Sequence, residues 1–120
     1  MKRFGFPRQA RLVREGEFRR VYRAGRRFAV RPLRFSVLPH KGRGSRLGLA
    51  VGRKTGNAVV RNRWKRAVRE AFRLQRGDLR APHDIVVGVD WEARAEDVAL
   101  VPEAFREAIR RMNAAGEGGA

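Results

Sequence analysis

An α/β domain is what this sequence predicts, and three observations carry the prediction. Residues 60–72 have apolar side chains at helical spacing, and the runs 46–53 and 84–89 on either side read as strands. A strand–helix–strand order of this kind implies a crossover joining parallel strands. A third run, 27–39, alternates as a further strand region. At 120 residues the chain is long enough for one core and too short for two, so residues 1–120 form a single domain.

Residues 1–13 hold Phe4, Phe6 and Pro7 among four basic residues and read as a basic arm. The arm is either a frayed terminus or a segment that orders against the core or against RNA. From Arg14 to Ala24 the pattern turns helical, with Phe18, Val21 and Tyr22 at i, i+3 and i+4 and Gly25 as the stop. In 33–38, Leu33, Phe35 and Val37 point one way while Arg34, Ser36 and Leu38 point the other. A shorter strand over 28–30 precedes it, and Pro32 separates the two or sits at an edge. The Gly-rich basic stretch 40–46 is a turn or hairpin loop.

In 46–53, Leu47, Leu49 and Val51 make one large apolar face, and Gly48, Ala50 and Gly52 make a nearly bare one. Either a ligand approaches that bare face or a helix lies across it. The helix that follows gathers Val60, Trp64, Ala67, Val68, Ala71 and Phe72 on one side. Arg61, Asn62, Lys65, Arg66, Arg69 and Arg73 fill the adjoining arc, from roughly 100° to 240° around the axis, and only Glu70 offsets them. The run 84–89 is apolar and β-branched, as in a strand buried on both sides. Residues 91–101 are acidic and irregular, with Val98 and Leu100 as packing contacts. Pro102 and Glu103 then open a last helix whose stripe is Ala104, Phe105, Ala108, Ile109 and Met112, with 113–120 as a flexible tail.

Charge narrows the function. The net charge is +17, and 25 of the 29 basic residues are arginine. Residues 1–76 carry 24 Lys and Arg against three acids, whereas 77–120 carry five against nine, so the partner-facing surface belongs to the first two thirds. Arginine forks match phosphates and stack on bases, which points to nucleic acid. A run long and apolar enough to span a bilayer is absent, the basic N-terminus lacks a signal-peptide core, and there are no cysteines. A cytoplasmic protein, with no membrane or protein partner, fits these facts.

An enzyme site is hard to build from these residues. His40 and His83 both fall in turn-like segments with no nucleophile, carboxylate pair or second ligand at useful spacing, and the acids of 84–97 read as solvated loop charge. Phosphate-loop and dinucleotide-loop patterns are missing as well. What is present is a row of cations, Arg61, Arg63, Lys65, Arg66, Arg69 and Arg73, with Asn62 among them, spaced to reach successive phosphates. Thr55, Gly56 and Asn57 stand before the helix, where open N–H groups and the helix dipole favour a further phosphate. Phe18 and Tyr22 read as core anchors or as rings that stack on bases.

The run GNAVVRNRWKRAVREAF (56–72), with Arg61-Asn62-Arg63 at its centre, resembles the signature of the bacterial ribonuclease P protein subunit. EFRRVYRAG (17–25) resembles that family's first helix, and RLGLAVGRKTGNAVVRNR (46–63) its strand-to-helix passage. The resemblance implies an α+β two-layer sandwich, α-β-β-β-α-β-α, with a mixed four-stranded sheet. It also implies a left-handed crossover, against the usual hand. In that family the protein joins a large RNA that removes 5′ leaders from precursor tRNA. There the RNA carries the chemistry and holds most of the magnesium, and the protein alone holds none.

Carried over by position, the resemblance turns Arg61, Asn62, Arg63, Lys65, Arg66 and Arg69 toward the ribonuclease P RNA, with Arg53 and Lys54 beside them. It makes Phe18 and Tyr22 leader-cleft aromatics, next to Ser36, Gly48 and Ala50. Ser36 stands where some relatives carry an aromatic cleft residue, so stacking there is absent or moved. The alternatives are a structural RNA-binding protein, such as a ribosomal component or RNA chaperone, and, less well supported, a nuclease acting alone.

Overall fold

The computed structural model describes residues 10–42 and 44–118, with side chains to residue 115. The element order is α1 (Glu15–Ala24), β1 (Arg26–Val30), β2 (Leu33–Pro39), β3 (Arg46–Ala50), α2 (Ala58–Gln75), β4 (His83–Val89) and α3 (Val101–Gly118). One sheet runs in the order β1-β2-β4-β3. β2 pairs antiparallel with β1 and with β4, while β3 and β4 are parallel neighbours, so the sheet is mixed and α2 is the crossover. The order and the mixed sheet agree with what the sequence and its resemblance imply.

Period-two patterning gives the sheet two faces. Leu33, Phe35, Val37, Leu47, Ile85 and Val87 meet Trp64, Val68 and Phe72 of α2 and Phe105, Ala108 and Met112 of α3 in the main core. The other face has a smaller cluster, in which Val21 and Phe18 of α1 and Leu12 cover Val86 and Leu38. β4 is therefore buried on both sides at 85–87, as its unbroken apolar run predicts.

Of the basic arm, residues 1–9 lie outside the described part. Residues 10–12 order against the sheet: Ala10 and Leu12 are buried, Arg11 bridges in parallel with Leu47, and the Leu12 N–H donates to the Leu47 carbonyl at 2.9 Å. Gly25 ends α1 with extended backbone, and it is glycine because of close approach. A Cβ there would stand 2.5 Å from the carbonyl oxygens of both Val21 and Val37. Pro32 sits in the two-residue turn between β1 and β2, which accounts for the break seen in the sequence.

Four expectations need correcting. α3 does not stop at Met112; it runs to Gly118, leaving only 119–120 of the expected tail outside the described residues. Ala114 and Ala115 favour helix, and Asn113 is anchored, its amide donating to the Asp78 carbonyl and accepting from the Arg80 N–H, both at 3.0 Å. Leu100 is an exposed residue in a 3-10 turn over 95–100, and only Val98 of that pair packs. His83 is no turn residue but the buried first residue of β4.

Asp84, finally, is not solvated charge. It is 2% exposed and takes a two-pronged contact from Arg46, at 2.8 and 2.7 Å. Arg46 also donates to Glu17 of α1 at 2.9 Å. This pair, with Asp84 buried and Arg46 part-exposed, welds β3 to β4 and pins α1 over the sheet. Removing Arg46 would strand the buried Asp84 carboxylate, at a cost of up to about 3–5 kcal/mol.

Candidate nucleic-acid interface

The interface starts at the end of β3. The chain leaves the sheet at Ala50 and makes a 3-10 turn over Arg53–Thr55. It then passes through Gly56, whose φ of +148° suits glycine, and enters α2. Asn57 is the N-cap: its Oδ1 accepts the Val60 N–H at 3.0 Å. That is a sufficient structural reason for Asn57, and it occupies one of the open N–H groups that the sequence offers to a phosphate.

Trp64, Val68, Ala71, Phe72 and Gln75 bury one face of α2, while Asn62, Arg63, Arg66 and Arg69 are exposed on the other. Arg61 and Lys65 are half-buried at the border. Arg61 turns back on the loop, its Nε donating to the Gly56 carbonyl at 3.2 Å. Arg73 differs from the rest, because its guanidinium grips Glu70 at 3.1 and 2.5 Å. That hydrogen bond holds the Glu70 carboxyl below its ordinary pKa and raises that of Arg73. Arg53, Lys54, Arg63, Lys65, Arg66 and Arg69 have no ion-pair partner among the described residues. Six like charges along this turn and helix repel one another, and a polyanion relieves that repulsion.

The α1 side of the sheet is divided in two. Register places Arg27, Ser36, Val86 and Gly48 in one row across the strands, and Ala29, Arg34, Gly88 and Ala50 in the next. α1 closes the first row at its Gly48 end. A Cβ on Gly48 would fall 2.7 Å from Phe18 Cζ and 3.1 Å from Leu12 Cβ, so the bare surface of Gly48 is covered by protein. Of the two readings of that surface, the helix across it is the one observed here, and Phe18 is its half-buried cover.

The second row stays open, with Ala29, Arg34 and Ala50 exposed and Gly88 half-exposed. Beside it a groove of about 570 Å³ is lined by Tyr22, Arg27, Ala29, Arg34 and the buried Ser36. Tyr22 is 38% exposed, and the Arg27 guanidinium lies 5.8 Å from its ring centroid. Tyr22, Ser36 and Ala50 thus border open surface, whereas Phe18 and Gly48 border each other. Sequence reasoning missed Gly88, Arg27, Ala29 and Arg34. For Gly88 a signal existed, a glycine inside a β-branched strand run.

The open row ends at Ala50, three residues before Arg53, so the bare strip and the cationic helix meet at one corner. An open row of small residues crossed by Arg34, beside an exposed ring and joined to guanidinium groups with no ion-pair partner among the described residues, defines a small basic RNA-binding domain. Known proteins narrow the class. The family described as Ribonuclease P matches residues 6–113. The chain is 42% identical over 116 residues to the ribonuclease P protein component of Desulfovibrio desulfuricans, covering 93% of this chain and 89% of that one. It is similar in structure to the RNase P protein of Staphylococcus aureus, with TM-score 0.76, 28% identity and 84% and 93% of the two chains covered. It is also similar to the RNase P protein of Thermotoga maritima, with TM-score 0.74, 30% identity and 84% and 96% covered. The chain belongs to the ribonuclease P protein family.

Proposed function

We propose that the chain binds ribonuclease P RNA through the exposed face of α2 and holds the 5′ leader of precursor tRNA along the open row of the sheet. The observation that carries this reading is the junction of the two surfaces at the Ala50–Arg53 corner. Arg63, Arg66 and Arg69 neutralise phosphates of the RNA, with Arg53 and Lys54 at the turn. An extended single strand lies over Gly88 and Ala50, where no side chain blocks its backbone, and passes Arg34 toward Ala29 and Tyr22, which offers a ring for one base. Arg27 and Arg34 flank that path and neutralise leader phosphates.

The chain contributes binding and positioning, and the RNA subunit contributes the chemistry. Two observations support this division. His40 accepts the Gly42 N–H on Nδ1 at 2.8 Å and faces the Asp84 carboxylate at 3.4 Å, and His83 is buried with Nδ1 against the Ala81 carbonyl at 2.9 Å, so both rings are engaged in structural contacts. Among the described residues, no three His, Asp or Glu side chains cluster as a metal site. In this reading magnesium is held by the RNA, and no step of the chain's own role runs through it. None of the helices among the described residues is long and apolar enough to cross a membrane, which suits a cytoplasmic ribonucleoprotein.

The test is reconstitution. Added to a bacterial ribonuclease P RNA and precursor tRNA at low magnesium, the chain raises the rate of leader removal over RNA alone. Equal rates with and without the chain overturn the reading.

A further inference from the structure

A second cavity lies at the other end of the sheet from the open row, on the α3 side. It has a volume of about 490 Å³ and sits between the start of β1, the end of β2, the start of β4 and the last turns of α3. That volume is within the range of about 300–1,000 Å³ typical of small-molecule sites. Val37, Pro39, Ala81 and Met112 make its walls apolar, and Arg26, Arg80 and His83 are its charged or titratable lining.

His83 is the decisive group. It is 6% exposed, and its Nδ1 stands 2.9 Å from the Ala81 carbonyl, which can only accept. The ring proton is therefore on Nδ1, and Nε2 presents a lone pair with no hydrogen-bond partner among the described residues. Burial lowers the pKa of His83, which keeps Nε2 an acceptor at neutral pH. Arg26 is held in place by its cation–π contact with Phe28, 5.2 Å to the ring centroid, and by donating to the Arg111 carbonyl at 3.3 Å. The rest of its fork stays available.

An apolar slot with one acceptor inside and a guanidinium at its rim asks for a flat ring that carries an N–H donor and an attached anion. We infer that this cavity takes a single unstacked nucleotide of an RNA strand, its base between Pro39 and Met112 with an N–H toward His83 Nε2, and its phosphate on Arg26. A chain of net charge +17 favours that occupant over an acidic peptide, whose side chains bring an anion but no ring donor. The site is separate from α2 and from the open row, so it gives the domain a second RNA contact that does not depend on the leader.

The chain carries its own reporters. Its two methionines are Met1 and Met112, and its two histidines are His40 and His83, so Met112 methyl and His83 ring signals are assignable by NMR on the full chain. Titration with 5′-AMP should shift both signals and saturate. Inorganic phosphate alone should leave Met112 unmoved, and adenosine should reach the same Met112 end-point at higher concentration. His83→Phe should weaken AMP binding roughly fivefold to tenfold. Arg26→Gln, at an exposed position, should weaken AMP binding and leave adenosine unaffected, with a melting curve to confirm folding.

Three results overturn the inference. One is a Met112 signal that stays put while AMP shifts α2. Another is a response to phosphate equal to the response to AMP. The third is a Met112 shift on Phe4→Ala or Phe6→Ala without nucleotide, which assigns the cavity to the amino-terminal arm instead.

Discussion

Replacing Arg63, Arg66 and Arg69 together by alanine removes three exposed cations that have no ion-pair partner among the described residues. They lie three residues apart, along about 9 Å of helix axis. Each phosphate contact contributes about 0.7 to 0.9 to the slope of log affinity against log salt, for single and double strands respectively. The triple variant should therefore bind ribonuclease P RNA with a slope shallower by about 2 to 3. Between 50 and 200 mM salt it should then lose about 20- to 40-fold less affinity than the parent chain does. Arg73 is the internal control, because Glu70 already neutralises it. Arg73→Ala should shallow the slope least, and Glu70→Ala should steepen it by freeing Arg73. The assay is filter binding or fluorescence anisotropy across a salt series, with melting curves to confirm folding. A triple variant with the parent slope, or an Arg73→Ala effect as large as that of Arg66→Ala, would refute the argument that the unpaired face of α2 is the phosphate-binding one.

Three further outcomes follow from the packing and the charges. Gly48→Ala pushes a methyl into the Phe18 ring and should cost about 1–3 kcal/mol by chemical denaturation; adding Phe18→Leu, which ends short of the clash, should recover part of it, and strict additivity would count against the contact. Asn57→Ala should lower stability by about 0.5–2 kcal/mol through loss of the N-cap, and an unchanged denaturation midpoint would contradict that role. Acid sensitivity should come in two stages. Burial holds His83 below its ordinary 6.5, so the unfolded chain takes up that proton first and stability falls as pH drops below about 6.5. Glu17, held down first by its hydrogen bond from the Arg14 N–H, and Glu107, lowered to about 2 by Arg110 and then Arg111, add losses only below about 4.5. In melting temperature against pH, His83→Gln should remove the upper stage and leave the lower one.

Much of this architecture is written in local periodicity. The α2 face was legible because apolar spacing and arginine density are properties of neighbouring residues. β2 and β4 were legible because alternation, or its absence, reports which faces are covered. What the sequence could not give depends on distant partners. Gly48 and Ala50 look alike in the strand, but α1 covers one and leaves the other bare. Arg73 looks like Arg69 until Glu70 reaches it. Asp84 and His83 appear to follow a loop, and only the pairing of β3 with β4 turns one into a buried ion-pair partner and the other into the lining of a cavity. α3 outran its expected end because Asn113 finds the 78–80 backbone, a contact no periodicity encodes. The resemblance carried by Arg61-Asn62-Arg63 supplied the mixed four-stranded sheet, which spacing alone left open, and the order of strands within it came only from the structure.

The most direct test compares the affinity of the reconstituted RNA–protein complex for precursor tRNA with its affinity for mature tRNA. The chain should tighten precursor binding selectively, and Gly88→Leu, which puts a side chain into the open row, should collapse that preference while binding of the ribonuclease P RNA is retained. A chain that tightens both tRNAs equally, or a preference untouched by Gly88→Leu, would contradict the placement of the leader on this sheet.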